Sequence, residues 1–265
     1  MLSTVVVALV PLALIIVVVL QQGASALNVD FFTENPPFSV TTRGGGYAPG
    51  FVGSLFMVGL AILISVPLGI AASVYLVEYA EHRMVPTVRF FTDVMTGVPS
   101  IFVGVFVYAA LVRDFALSWG TLPGAVALAI LMLPIIVRSG EEILRLVPDD
   151  LRNASYALGS RQWQTVMRVV LPTAVPGLTT GTMLAVARAI GETAPLLFTA
   201  LGAREIVLAL TGRPQGAITL QAFEDARTFA EPAQQRGWAG AFSLMAIVLL
   251  LTILARFIGR KSTVS

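Results

Sequence analysis

Asn153-Ala154-Ser155-Tyr156-Ala157-Leu158-Gly159-Ser160-Arg161-Gln162-Trp163-Gln164-Thr165-Val166-Met167-Arg168-Val169-Val170-Leu171-Pro172 lies at the centre of the longest charged stretch of a 265-residue chain, residues 138–173. Just before it, Val147-Pro148-Asp149-Asp150 reads as a stop followed by N-cap candidates, because an Asp side chain accepts from the free N–H groups of a new helix and suits its positive end. Leu151, Ala154 and Leu158 recur at helical spacing, and Gly159 stands where a left-handed residue would close that helix. Ser160 is placed to cap a second helix in which Trp163, Val166 and Val170 share a face, until Leu171-Pro172 leads into an apolar run. The expectation is a short helix, a sharp glycine turn and another helix at a membrane surface.

The surroundings of this stretch say why a membrane is there. Hydrophobic residues make up 56% of the chain and charged ones 12%, with a mean hydropathy of +0.85. A soluble domain carries about 25% charged residues, so this chain cannot cover itself in water. Apolar windows fall at roughly 2–20, 51–78, 86–112, 119–137, 174–201 and 238–257, and such lengths at about 1.5 Å per residue suit a hydrocarbon core of about 30 Å. Period-2 alternation is weak, which disfavours a transmembrane barrel. The fold class expected is all-α, a polytopic membrane protein with six transmembrane helices. It divides into a first helix with its external loop (1–50), a five-helix core (51–258) that carries the loop 138–173, and a tail (259–265).

Few charges remain, and their places are informative. The net charge of +2 is spread between apolar blocks and forms no basic stripe, which argues against a nucleic-acid partner. There is no cysteine and one histidine, His82, so thiolate chemistry, disulfides and an imidazole metal cluster are excluded. Ala24-Ser25-Ala26 resembles a signal-peptidase site, but no basic residue precedes the first span and the run Val5 to Leu20 is long for a leader, so a retained helix is expected. With the N-terminus inside, ten basic residues (Arg83, Arg89, Arg138, Arg145, Arg152, Arg161, Arg168, Arg256, Arg260, Lys261) fall on the cytoplasmic side, against six outside (Arg43, Arg113, Arg204, Arg213, Arg227, Arg236). That bias places both termini in the cytoplasm.

Arg188 falls inside the fifth span, with Glu192 four residues on. A charge in hydrocarbon costs about 2.5–3.5 kcal/mol on insertion scales, so the two require a partner or a wet cavity. They read either as an ion pair that steadies the bundle or as lining of a polar pathway, where a guanidinium holds an oxyanion by two parallel hydrogen bonds. Gly177, Gly181, Ala185 and Ala189 form a small-residue ridge for close helix packing, and Pro195 is expected to bend the span beside Glu192. The loop 202–237 carries Ile218, Leu220 and Phe223, enough apolar character to lie partly on the membrane, and reads equally as part of an outer docking surface or as simple packing.

Asn153-Ala154-Ser155, three residues, Gly159, nine residues, Val169, one residue, Leu171-Pro172 resembles the EAA loop of bacterial ABC importer permeases, with Asn153 where the family has Glu. Ala187 to Ala200 is similar to the signature segment of the phosphate-specific ABC importer permeases, and Gly97-Val98-Pro99-Ser100-Ile101 to their Gly-x-Pro-Ser-Ile segment. Leu133 to Arg138, Leu146-Val147-Pro148 and Ala239-Gly240-Ala241 look like the A-type subunit, and the likeness covers about residues 51–256. The resemblance implies type I ABC importer permease architecture in a bacterial cytoplasmic membrane. It implies as partners a second homologous permease, a homodimeric ATPase and an extracytoplasmic phosphate-binding protein. Carried over residue by residue, it implies Arg188 and Glu192 as pathway or gating residues, with Arg138, Ser100 and Thr193 beside them. Arg138 reads equally as a snorkelling anchor at a cytoplasmic helix end, and the two hydroxyls as bonding their own helices. Asn153, Ala154, Ser155, Gly159, Trp163, Leu171 and Pro172 would form the ATPase-coupling loop.

No cofactor is expected in this chain. A P-loop needs Gly-x4-Gly-Lys-Ser/Thr, and the only lysine, Lys261, follows Arg260, so ATP and Mg would sit on the ATPase. The chain is expected to be a non-enzymatic transport subunit. Competing readings are a permease for sulfate or molybdate and an ATP-independent ion channel or carrier; an intramembrane enzyme lacks the necessary groups.

Overall fold

The computed structural model describes residues 2–261, and the side chains of these except 2–6, 8, 256 and 258–261. The tail 259–265 and the topology markers Arg256, Arg260 and Lys261 therefore lie outside the described side chains. Helices α1 (Leu2–Gly23), α2 (Val29–Thr33), α3 (Ala48–Glu78), α4 (Val85–Gly97), α5 (Ser100–Val107, widening into a π turn over Tyr108–Asp114) and α6 (Thr121–Arg145) form the first half. Then follow α7 (Asp149–Ala157), α8 (Gln162–Ile190), α9 (Ala194–Thr199), α10 (Ile218–Ala226) and α11 (Glu231–Lys261). Among the described residues there is no strand, only a single parallel bridge between Leu201 and Gln215. The all-α membrane fold expected from composition is the one found, with five helices long and apolar enough to cross a bilayer, or six if a bent pair counts as one.

That bent pair is the expected third span. Residues 86–112 do not form one rod, because α4 and α5 meet at 104°. Val98 is extended (φ −72°, ψ 124°) ahead of Pro99, the conformation that the proline ring imposes on its predecessor. The fifth span differs as well. It does not run over 174–201 but ends at Ile190 and restarts at α9, since Pro195 occupies the first turn of a new helix rather than bending an old one.

Small residues set the packing. On α3 and α6, a Cβ at Gly69 would stand 2.6 Å from Ile136, one at Gly124 2.5 Å from the Met57 sulfur, and one at Gly140 2.6 Å from the Ser73 hydroxyl. The ridge on α8 packs against α6 in the same way, Gly177 on Ile143 and Gly181 on Ser139, with Ala185 and Ala189 buried. Where lipid replaces water outside, such close backbone contact is what holds helices together. The central core joins Met57 and Ala61 of α3, Leu128, Met132 and Ile136 of α6, Val186 of α8, Leu196 of α9 and Leu220 of α10.

The segments between α1 and α3 and between α9 and α11 form one cap over the end of the bundle away from Gly159. Tyr47 stacks on Phe31 at 4.9 Å, and Gln215 donates to Thr121 Oγ1 (2.8 Å) and Val207 O (2.9 Å). Of docking and simple packing, the two readings open for this loop, Ile218 and Leu220 take the second and point into the core, because α10 wedges against α3 where Gly53 leaves room for Gly216 O, while Phe223 stays partly exposed.

Candidate functional site

Arg188 lies in the last turn of α8 and Glu192 just beyond it, with Arg188 Nε 3.5 Å from Glu192 Oε1. The expected proximity holds, with one difference: Glu192 is not on the same helix, because the turn breaks at Gly191. Thr219 Oγ1 donates to the Glu192 carbonyl at 3.0 Å, which ties that break to the cap. The Arg188 side chain is 63% exposed and that of Glu192 14%. One long contact uses a small part of the five N–H donors of a guanidinium, so Arg188 offers an open fork to an oxyanion.

Ser100 and Thr193 each begin a helix, Ser100 in the first turn of α5 and Thr193 one residue before α9. Neither hydroxyl caps its helix. The two motif segments to which they belong meet, because a Cβ on Gly104 of α5 would stand 2.6 Å from Pro195 Cα in α9. No local pattern signals that contact.

Arg138 stands apart from this group. It lies in the body of α6, which runs two turns further than the apolar window and carries it past the expected helix end to Arg145. Since Ser139 faces Gly181 and Ile143 faces Gly177, Arg138 sits level with about residue 182 of α8, roughly 9 Å from Arg188 toward the Gly159 end at 1.5 Å per residue. Its partners are Asp93 and Glu141, and Arg89 and Arg145 join the same carboxylate. Arg89 and Asp93 lie four apart on α4 and Glu141 and Arg145 four apart on α6, a spacing that places each pair on one helix face.

The turn after α7 matches expectation in outline. Gly159 takes φ +83° with open space around it, so conformation alone requires glycine there. Pro148, rather than an Asp, precedes the first turn of α7, and Asp149 and Asp150 sit inside it. Ser160 does not cap the second helix; Gln164 Oε1 accepts from Arg161 N at 2.8 Å instead. Leu171-Pro172 does not interrupt it, because a π turn over Val166–Val170 absorbs the proline and α8 runs unbroken from Gln162 to Ile190.

Polar contacts clamp α7 in place. Arg152 donates to Glu78 Oε1 at 2.9 Å and to the Leu144 carbonyl at 2.9 Å, and Ser155 and Thr165 share a buried 2.9 Å hydroxyl pair. Asn153 and Ala154 lie exposed on its outer side. Val166 and Val170 are buried, whereas Trp163 is 54% exposed and does not share their face. With Leu158 at 88% exposure, Leu151 and Tyr156, it forms an apolar rim at the Gly159 end of the bundle.

At the opposite end, Tyr47 Oη donates to Asp225 Oδ2 at 2.8 Å, Arg236 stands 3.9 Å from the same oxygen, and Arg236 donates to the Thr42 and Gly44 carbonyls. Burial pushes the Asp225 carboxyl up in spite of Tyr47 and Arg236, and burial pushes Glu224 up beside it. Among the described residues Arg236 Nε and Gln221 Oε1 are buried without a hydrogen-bond partner.

Residues 65–264 match the family described as binding-protein-dependent transport system inner membrane component. The phosphate transport system permease protein PstA of Yersinia pestis is 40% identical over 243 residues, 91% of this chain and 81% of that protein. The phosphate transport system permease protein PstA of Haemophilus influenzae is 38% identical over 245 residues, 91% of this chain and 85% of that one. Two structures described as inward-facing conformations of the MetNI methionine ABC transporter superpose with TM-scores of 0.60 and 0.62 at 21% and 19% identity, covering 81% and 82% of this chain and 93% and 94% of theirs.

Proposed function

Because this chain belongs to the binding-protein-dependent transport system inner membrane components, a multi-pass membrane family of transport subunits rather than enzymes, we propose that it forms half of the path by which inorganic phosphate is imported at the expense of ATP hydrolysed elsewhere. The observation that carries this reading is a pairing within one helix. α8 begins at the Gly159 turn with its exposed apolar rim and ends at the open guanidinium of Arg188, in a chain 36–40% identical to named phosphate permeases.

On this reading Leu151, Tyr156, Leu158 and Trp163 dock a separate homodimeric ATPase that binds ATP and Mg. A second permease faces Arg188, a phosphate-binding protein docks outside, and both termini are cytoplasmic. Arg188 holds phosphate by parallel charge-assisted hydrogen bonds, while Glu192 competes for the same guanidinium and keeps the hold weak enough to release. Access alternates as the spans rock, so that Arg188 faces first outward and then inward.

The complete transporter in vesicles tests this. Phosphate with its binding protein is expected to stimulate ATP hydrolysis and to enter the vesicles. Stimulation by sulfate or molybdate alone would overturn the substrate assignment, and flux without any ATPase would overturn the mechanism.

A further inference from the structure

Three guanidinium groups converge on one buried carboxylate where α4 meets the inner end of α6. Arg89 donates to Glu141 Oε1 from Nε (3.1 Å) and Nη2 (2.7 Å), and Arg145 Nη2 donates to the same oxygen at 2.6 Å. Arg138 Nη1 reaches Glu141 Oε2 at 3.5 Å while its Nη2 pairs with Asp93. Glu141 is 4% exposed, yet the three arginines around it are partly open, and a cleft of about 300 Å³ lies beside them, lined by Arg89, Arg138, Glu141, Glu142 and Arg145. Each guanidinium carries five donors, so most of the donors in this ring are not taken up by Glu141 and Asp93.

We propose that this cleft is a second oxyanion site, specific for phosphoryl oxygens, at the cytoplasmic end of the pathway, and that Glu141 is a built-in competitor for it. The proposal rests on the reading of the chain as a phosphate permease. Glu141 lies four residues before the end of α6, about 6 Å at 1.5 Å per residue. A tetrahedral phosphate presents more acceptors than a carboxylate and suits three forks at once. The tethered carboxylate is always present at high effective concentration, and Glu142 on the rim repels anions, so phosphate arriving from Arg188 is held briefly and displaced inward. The phosphodiester of an anionic lipid has the same chemistry, and the experiment distinguishes the two sources.

The test uses the complete transporter in phosphatidylcholine vesicles, with ATP and graded inorganic phosphate trapped inside and labelled phosphate outside. Wild-type uptake is read first, and its absence would count against the permease reading rather than this one. Glu141→Gln is expected to lower the internal phosphate concentration that halves uptake at least tenfold, and Arg145→Gln in the same chain is expected to reverse that shift. Should Glu141→Gln fail to assemble, Arg145→Gln alone is expected to raise that concentration at least threefold. Half-inhibition unchanged in every assembled variant overturns the proposal. A shift that needs phosphatidylglycerol in the vesicle and ignores internal phosphate assigns the cleft to a lipid phosphodiester and overturns its role as the phosphate exit.

Discussion

Pro195 occupies the space into which any side chain on Gly104 would project, with a Cβ at that position 2.6 Å from Pro195 Cα and 2.9 Å from its carbonyl oxygen. The contact holds α5 against α9 and so sets where the break after Arg188 sits relative to the bent pair.

Gly104→Ala must therefore move backbone rather than a flexible side chain, and overpacking of this kind costs about 1–3 kcal/mol. A lower thermal unfolding temperature of the purified complex is expected, together with slower uptake. Gly97→Ala, at a position with open space, is expected to leave the unfolding temperature where it is; equal losses in both would remove the contact as the cause.

Arg188→Gln is expected to abolish phosphate uptake while the subunits still co-purify. Arg188→Lys keeps the charge but loses the planar fork and should retain a fraction of the rate. Wild-type uptake by Arg188→Gln would leave Arg188 only the role of partner to Glu192.

Gly159 separates conformation from contact, since its φ of +83° lies in the left-handed region and nothing surrounds it. Gly159→Val costs about 1–3 kcal/mol as strain and is expected to reduce co-purification of the ATPase. Gly159→Asn is expected to be tolerated, because Asn enters this region more easily. Undiminished ATPase recovery with Gly159→Val would count against α7 as the docking element.

The Arg152–Glu78 pair is buried on both sides, at 12% and 4% exposure. Removal of one partner strands the other charge and costs about 3–5 kcal/mol, so Arg152→Met should destabilise strongly. Replacement of both by Met is expected to recover most of that loss, read as an unfolding temperature close to wild type in the double variant.

Asp225 and Glu224 both bind protons more tightly in the folded cap than their ordinary values of 3.8 and 4.5 allow in the unfolded chain, burial being the first cause in each. A raised folded value stabilises below the unfolded value and is lost as pH rises through the folded one. Thermal stability is therefore expected to fall as pH climbs from the ordinary carboxylate range toward neutrality, with Tyr47, Arg204 and Arg236 as the facing groups. Asp225→Asn should flatten the profile, and an unchanged slope in that variant would exclude Asp225 as its source.

Much of the molecule was readable because the signals were local. The Gly159 turn, the ridge from Gly177 to Ala189 and the nearness of Arg188 to Glu192 each depend on residues a few positions apart. What escaped was long-range or masked by apolar continuity. Val98-Pro99 bends the third span by 104° inside a window that hydropathy reads as one helix, and nothing in the local pattern shows that Gly104 meets Pro195. The Arg89–Glu141 contact joins residues 52 apart, although Arg89 with Asp93 and Glu141 with Arg145 at four-residue spacing could have marked the two faces that meet. Periodicity groups Trp163 with Val166 and Val170, yet it is exposed where they are buried.

α8 runs without a break from Gln162, at the apolar rim, to Ile190, two residues past Arg188. A stiff rod about 40 Å long at 1.5 Å per residue has a fixed mechanical ratio. Tilted by about 10° around its middle, it carries each end about 3 Å in opposite directions, enough to make or break a hydrogen bond at Arg188. The stroke delivered at the pathway is then a matter of leverage. Stiffening of the π turn at Val166–Val170 or softening of the helix near Pro176 would change the gearing of the transporter without touching either end.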